Sequence, residues 1–177
     1  MKLNGKDLAG VLTVCLLAAG PAFTQSSTGS ASRMSYDSSF ITKAAEGGIA
    51  EVKLGQLAAQ KGSNADVRSF GQQMVDDHGK ANNELKQLAS SKGVTLPSDI
   101  SSKDQATYDR LSKLDGAAFD HAYVQDMVAD HREDVNEFRR ESRSGSDSDV
   151  KAWAGKTLPT LEHHLQLAES LQTKVKK

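Results

Sequence analysis

From about residue 38 onward, apolar side chains recur every three or four positions and nowhere alternate with a period of two. That spacing predicts long amphipathic helices and no strands. Small and helix-breaking residues mark the boundaries. A first helix runs from about Ser38 to Lys61 and stops at Gly62. A second opens on the capping box Ser63-x-x-Asp66, reaches Lys92 and closes at Gly93. Val94 to Ile100, with Pro97, reads as a turn. Ser101-x-x-Asp104 starts a shorter helical piece ending near Leu114. Asp115 is placed to cap a third long helix, Gly116 to about Arg143. Ser146-x-x-Asp149 is placed to cap a fourth that runs nearly to the C-terminus. Pro159 falls inside this last helix, removes one backbone hydrogen bond and crowds the Gly155 carbonyl, so a bend is expected there. The fold class is therefore all-α, four long helices with a short extra one between the second and third.

The second and third long helices repeat each other. Phe70 to Leu85, FGQQMVDDHGKANNEL, returns as Tyr123 to Phe138, YVQDMVADHREDVNEF, displaced by 131 − 78 = 53 residues. Gln72/Gln125, Met74/Met127, Val75/Val128, Asp77/Asp130, His78/His131, Asn83/Asn136 and Glu84/Glu137 are identical. In each copy a Met and a His stand one turn apart on the apolar stripe, Phe70, Met74, His78, Ala81, Leu85 in one and Tyr123, Met127, His131, Val135, Phe138 in the other. The stripe of the fourth helix, Trp153, Thr157, Leu161, His164, Ala168, Leu171, also carries a His. That of the first, Ile41, Ala44, Gly48, Glu51, Gly55, carries one acid and several small residues suited to close helix approach.

The N-terminus has a different character. Lys2 and Lys6 precede a short apolar run, Leu8 to Ala19, and then small residues, which reads as a secretory signal peptide cleaved after Ala22 or Thr24. Cys15 lies inside that run, so neither lipidation nor a disulfide is expected. Residues 25–37 are Ser-rich and aperiodic, a flexible tether, leaving 38–177 for the bundle domain. An exported, periplasmic protein with no transmembrane domain in its mature chain follows; an uncleaved anchor is the alternative. Lys+Arg 22 against Asp+Glu 23, with aromatics at 5%, offers no basic or stacking surface for nucleic acid.

The midpoints of the four long helices fall at about residues 50, 78, 130 and 162. Glu51, His78, His131 and His164 each lie within about one turn of those points, so a bundle of similar-length helices brings them to one level. Three imidazoles and a carboxylate are a competent donor set for a transition metal, Cu, Zn or Fe. Met74 and Met127 are auxiliary soft donors that would favour copper. Asp77 and Asp130 point away from the neighbouring His and suit hydrogen bonding to the ligands. The rival reading is a core hydrogen-bond network that fixes helix register without any metal. A carboxylate-bridged di-iron oxidase is disfavoured, because Val75, Val128 and Leu161 occupy the positions where Glu-x-x-His would need its acid. His163 falls on a solvated face, and no nucleophile–base pair or phosphate loop is present, so the residues point to binding rather than catalysis.

AEGGIAEVKLGQLAAQK, VRSFGQQMVDDH, GAAFDHAYVQDMVADH and TLPTLEHHLQLA, in this order between Phe40 and Leu171, resemble the bacterial exported domain-of-unknown-function family 4142. The resemblance implies a ferritin-like four-helix bundle and an exported location, and it implies no activity. Members are often labelled outer membrane proteins; for a chain without barrel strands this implies peripheral envelope association at most, with a partner that the residues do not identify. The family's motif positions Glu51, Asp77, His78, Asp130, His131, Pro159 and His164 are all present.

Overall fold

A computed structural model describes residues 28–175; the expected signal peptide lies outside them. Five helices follow in order: α1 (Thr28–Lys61), α2 (Ala65–Ser91), α3 (Ser102–Ser112), α4 (Gly116–Ser144) and α5 (Ser148–Val175), with no strand among the described residues. The long helices form a ferritin-like four-helix bundle, and α3 sits in the one long connection, between α2 and α4. None of these helices is long and apolar enough to cross a membrane.

Contacts at the ends set the topology. Asp120, near the start of α4, accepts from the Ser63 and Asn64 N–H groups at 2.9 and 2.8 Å and from the Ser63 hydroxyl, just before α2. Asp37, on α1, accepts from Ser146 and Asp147 N–H groups just before α5, at 3.1 and 2.8 Å. So α2 runs parallel to α4, and α1 to α5. α1 packs along α2 and α4 along α5, while α2–α5 and α1–α4 close the ring. The parallel helices thus stand diagonally, related by an approximate two-fold axis along the bundle. The repeated sequence of α2 and α4 is the visible trace of that symmetry.

Local differences from the sequence expectation have local causes. The Ser-rich stretch is not a tether up to Asp37, because α1 extends back to Thr28. Two long-range anchors hold its later part: the Asp37 bonds just described and a hydrogen bond from Arg140 to the Tyr36 hydroxyl, with the guanidinium over the Tyr36 ring. The cap of α2 is Asn64, whose side chain accepts from the Asp66 N–H at 2.8 Å; Ser63 is drawn instead to Asp120. Ahead of α5, Asp147 accepts from the N–H groups of Asp149 and Val150, the role expected of Ser146. Asp115 precedes α4 but makes no capping bond and pairs with Lys61 at 3.0 Å. Ser101 caps α3 as its sequence predicts. α5 continues through Pro159, which is exposed together with Gly155, so water reaches the carbonyl the proline leaves unbonded.

Where α1 and α2 cross, Gly55 and Gly71 let the backbones meet. A Cβ on either glycine would lie 2.7 Å from the carbonyl oxygen of the other. The core divides into two apolar clusters. One, towards the start of α2 and α4, holds Leu54, Phe70, Met74, Phe119, Tyr123, Met127 and Leu171 among others. The other, towards the start of α1 and α5, gathers Phe40, Ile41, Leu85, Phe138, Trp153 and Leu161. Between them lies a polar layer.

Candidate metal centre

Each long helix contributes one residue to that layer: Glu51 from α1, His78 from α2, His131 from α4 and His164 from α5. Their exposures are 1%, 6%, 0% and 0%. The three ring centroids form a nearly equilateral triangle with sides of 5.8 Å (His78–His131), 5.3 Å (His78–His164) and 5.4 Å (His131–His164).

Each imidazole has one nitrogen occupied. His78 Nδ1 is 2.7 Å from Glu51 Oε2, His131 Nδ1 is 3.0 Å from the Met127 carbonyl oxygen, and His164 Nε2 is 2.8 Å from Asp77 Oδ2. A carbonyl only accepts, so His131 carries its proton on Nδ1. The two carboxylates assign the protons of His78 and His164 in the same way. What remains is one lone pair per ring, on His78 Nε2, His131 Nε2 and His164 Nδ1, all three buried without a hydrogen-bond partner. One nitrogen of each ring lies within 4.8 Å of one from each of the others. His131 Nε2 is also 3.2 Å from Glu51 Oε1, but the pair is not aligned for a hydrogen bond, and Oε1 too is left unpartnered.

Burial keeps these rings neutral. It lowers His78 to about 4 against the pull of Asp130 and Asp77, and His164 to about 4 against its bond to Asp77. His131 is lowered as well, again by burial first, with Glu51 opposing. The acids diverge. Burial raises Glu51, with His131 opposing. Asp77 is only partly buried, and the bonds from His164 and Gln73 outweigh that burial and hold it below the usual carboxylate range. Asp130 goes up to about 7 through burial and the charge of Glu51.

The residues singled out from the sequence divide by what they touch. Glu51 and the three histidines meet in one layer, and Asp77 orients His164. Glu51 orients His78 through Oε2 and adds a free oxygen beside His131. The Met74 and Met127 side chains are buried in the adjoining apolar cluster, and the contact that Met127 makes with His131 is through its main-chain carbonyl. Asp130 does not bond to a histidine; it gathers with Glu51 and Asp134, one carboxylate oxygen from each within 4.8 Å of the others. Asp134 was missed in the sequence. Its signal was an acid at a position where the repeat in α2 has Ala81.

Chemically, three neutral imidazoles, each with one nitrogen held and one lone pair free, are a donor set that a Lewis acid could use. Carboxylate or carbonyl partners on the far nitrogen are what fix tautomer and ring orientation at metal sites. A ring bound through nitrogen at about 2.0 Å has its centre about 3.1 Å from the metal, so three around one ion stand about 5 to 5.5 Å apart. The observed triangle nearly has that size.

Fold and polar layer together define an all-α, ferritin-like bundle with an imidazole–carboxylate layer across its middle. The chain belongs to the family described as a domain of unknown function, DUF4142, which matches residues 22–171. No curated protein matches the sequence. Among solved structures, a DUF305 fragment from Deinococcus radiodurans superposes with a TM-score of 0.69 at 13% identity, over 78% of this chain and 95% of that one. A DUF305 protein from Streptomyces coelicolor gives 0.67 at 15% identity, over 79% and 93%. CopM in its Cu(I)-bound form gives 0.65 at 13% identity, over 78% and 96%. At such identities the likeness is one of fold.

Proposed function

We propose that this protein is an exported binding protein that holds one transition-metal ion at mid-bundle, copper(I) in preference to zinc or iron, through His78 Nε2, His131 Nε2 and His164 Nδ1. The observation that carries this reading is that three packed imidazoles each keep one buried, unpartnered ring nitrogen and each bring a ring nitrogen within 4.8 Å of the others. A merely structural network would pair them, because an unmet buried acceptor costs about 1–3 kcal/mol. Copper(I) fits best: it accepts three nitrogen donors, and its single charge is balanced by one carboxylate, Glu51. Zinc normally demands a fourth ligand. That a structural neighbour of this fold is known in a Cu(I)-bound form agrees with the choice. Export rests on the leader-like residues 1–24 and places the protein in the periplasm, peripheral to the envelope if attached at all.

The test is elemental analysis of the mature chain, purified without chelator or affinity tag, followed by anaerobic titration with Cu(I). The expected outcome is one copper per chain, lost in His78→Ala, His131→Ala and His164→Ala while far-UV circular dichroism stays helical. Absence of copper from the wild type, with no rise in Tm on titration, would sink the proposal and leave the layer as a hydrogen-bond network.

A further inference from the structure

Beside the histidines lies a group of carboxylates with no counter-charge. Among the described residues, no Lys or Arg forms an ion pair with Glu51, Asp130 or Asp134, although their oxygens stand within 4.8 Å of one another. Lys103, nearby, partly offsets the charge on Asp130 without pairing with it. Glu51 Oε1 is buried and receives no hydrogen bond. Beside it at 3.2 Å is His131 Nε2, equally buried and unpartnered, and the proton on Nδ1 leaves Nε2 with no hydrogen to offer the oxygen. Two buried, unpartnered acceptors this close together beside two more carboxylates are unfavourable unless positive charge enters the group.

The surroundings admit an ion. A cavity of about 180 Å³, lined by Gly47, Asp104, Asp126, Asp130 and Glu133 among others, opens between α1, α3 and α4. Its lining, four acids against Lys103, attracts cations, and Asp130 belongs both to the lining and to the carboxylate group. On the inner side, a void of about 20 Å³ touches Glu51, His78 and Asp134, enough for one water.

We propose that Glu51, Asp130 and Asp134 form a second cation site, distinct from the three imidazoles and selective for a hard divalent ion such as Mn²⁺, Mg²⁺ or Ca²⁺, loaded through the acidic cavity. The donors are all carboxylate oxygens, which hard cations prefer, and water fills the coordination positions the protein leaves open. Glu51 then serves both sites, orienting His78 with Oε2 and binding the hard ion with Oε1. The site does not require copper at the histidines.

Mn²⁺ is the probe, because the electron paramagnetic resonance signal of the free ion is lost on binding. The full chain is titrated to about 1 mM, the weak end of oxygen-ligand sites. Saturable uptake of one Mn²⁺ per chain is expected, undiminished in His164→Ala and at least tenfold weaker in Asp134→Asn, which should still take up Cu(I). No uptake by the wild type, or equal affinity in wild type and Asp134→Asn, overturns the proposal. So does loss of Mn²⁺ and Cu(I) together in both variants, which would mean a single shared site. If Asp134→Asn fails to fold, Asp130→Asn makes the same comparison, and unchanged affinity there is equally fatal. Failure of the copper reading alone would show as Mn²⁺ uptake without Cu(I) uptake.

Discussion

α2 and α4 share seven residues at corresponding positions of a sixteen-residue repeat, yet the two copies behave differently. Asp77 and Asp130 show this most sharply. The approximate two-fold axis exchanges α2 with α4 and α1 with α5, so it sets Asp77 beside a residue of α5 and Asp130 beside its counterpart on α1. The α5 residue is His164, which donates to Asp77 at 2.8 Å. The α1 residue is Glu51, which repels Asp130 and helps push it up to about 7. One aspartate is therefore an anchored hydrogen-bond acceptor, and the other is an acid with a raised pKa and no ion-pair partner among the described residues. The two aspartates occupy matching positions of the repeat; the adjacent helices that face them, α5 and α1, differ. A repeat thus specifies where a side chain sits, and the unrepeated neighbours specify what it does.

Exchanging residues between the copies tests that statement, and the largest effect is expected far from the polar layer. Gly71 corresponds to Val124 in α4. Gly71→Val forces a side chain against the Gly55 carbonyl oxygen and the Ala59 N, where even a Cβ would stand at 2.7 and 2.8 Å. Backbone atoms cannot give way, so α1 and α2 must separate, at a cost of about 3 kcal/mol. Urea denaturation should show this as a lower midpoint; a midpoint within error of wild type would mean that the close crossing does not hold the pair together.

A smaller but more telling pair is Asp77→Asn and Asp130→Asn, which should have opposite signs at pH 8. Asp77→Asn weakens a charge-assisted bond on a partly exposed side chain and should destabilise the metal-free protein by about 0.5–1 kcal/mol. Asp130→Asn removes a half-buried charge lacking an ion-pair partner and should stabilise by about 1 kcal/mol. Equal signs in parallel denaturation curves would contradict the difference in environment drawn here.

The smallest effect concerns Glu141, whose equivalent in α2 is Leu88. Both oxygens of Glu141 are buried without a donor. Burial, then the charge of Asp37 and the hydrogen bond the two acids share when one is protonated, raise it from 4.5 to about 7. Folded chains thus keep a proton that unfolded chains release between about pH 4.5 and 7, so this group's contribution falls as pH rises through that window and is constant above it. His78 and His164 act oppositely: lowered from 6.5 to about 4, they cost stability as pH falls through that range. Thermal melts at half-unit steps should show the Tm of Glu141→Gln rising relative to wild type as pH goes from 5 to 7, because the variant lacks the Glu141 loss. Parallel profiles would remove Glu141 from the account.

The helices, their number and the level of Glu51, His78, His131 and His164 were legible in the chain, because stripe position and distance from a helix midpoint are one-dimensional quantities. Other features were not. The caps moved from Ser63 to Asn64 and from Ser146 to Asp147 because Asp120 and Asp37, more than 50 residues away in sequence, claimed the neighbouring N–H groups. The tether became helix because Tyr36 and Asp37 found partners on α4 and in the turn before α5. Asp134 escaped notice because its importance comes from α1, on which Glu51 stands.

By itself, then, the sequence determined an all-α bundle of four long helices, its family, and the four residues that share a layer, since periodicity and helix length depend only on order along the chain. Only the tertiary structure decided which nitrogen of each imidazole is anchored and which is free, that Glu51 serves His78 while leaving Oε1 beside His131, and that Asp77 and Asp130 part company. Those outcomes depend on which helix lies alongside, at what rotation and at what depth from water, and no local pattern records them.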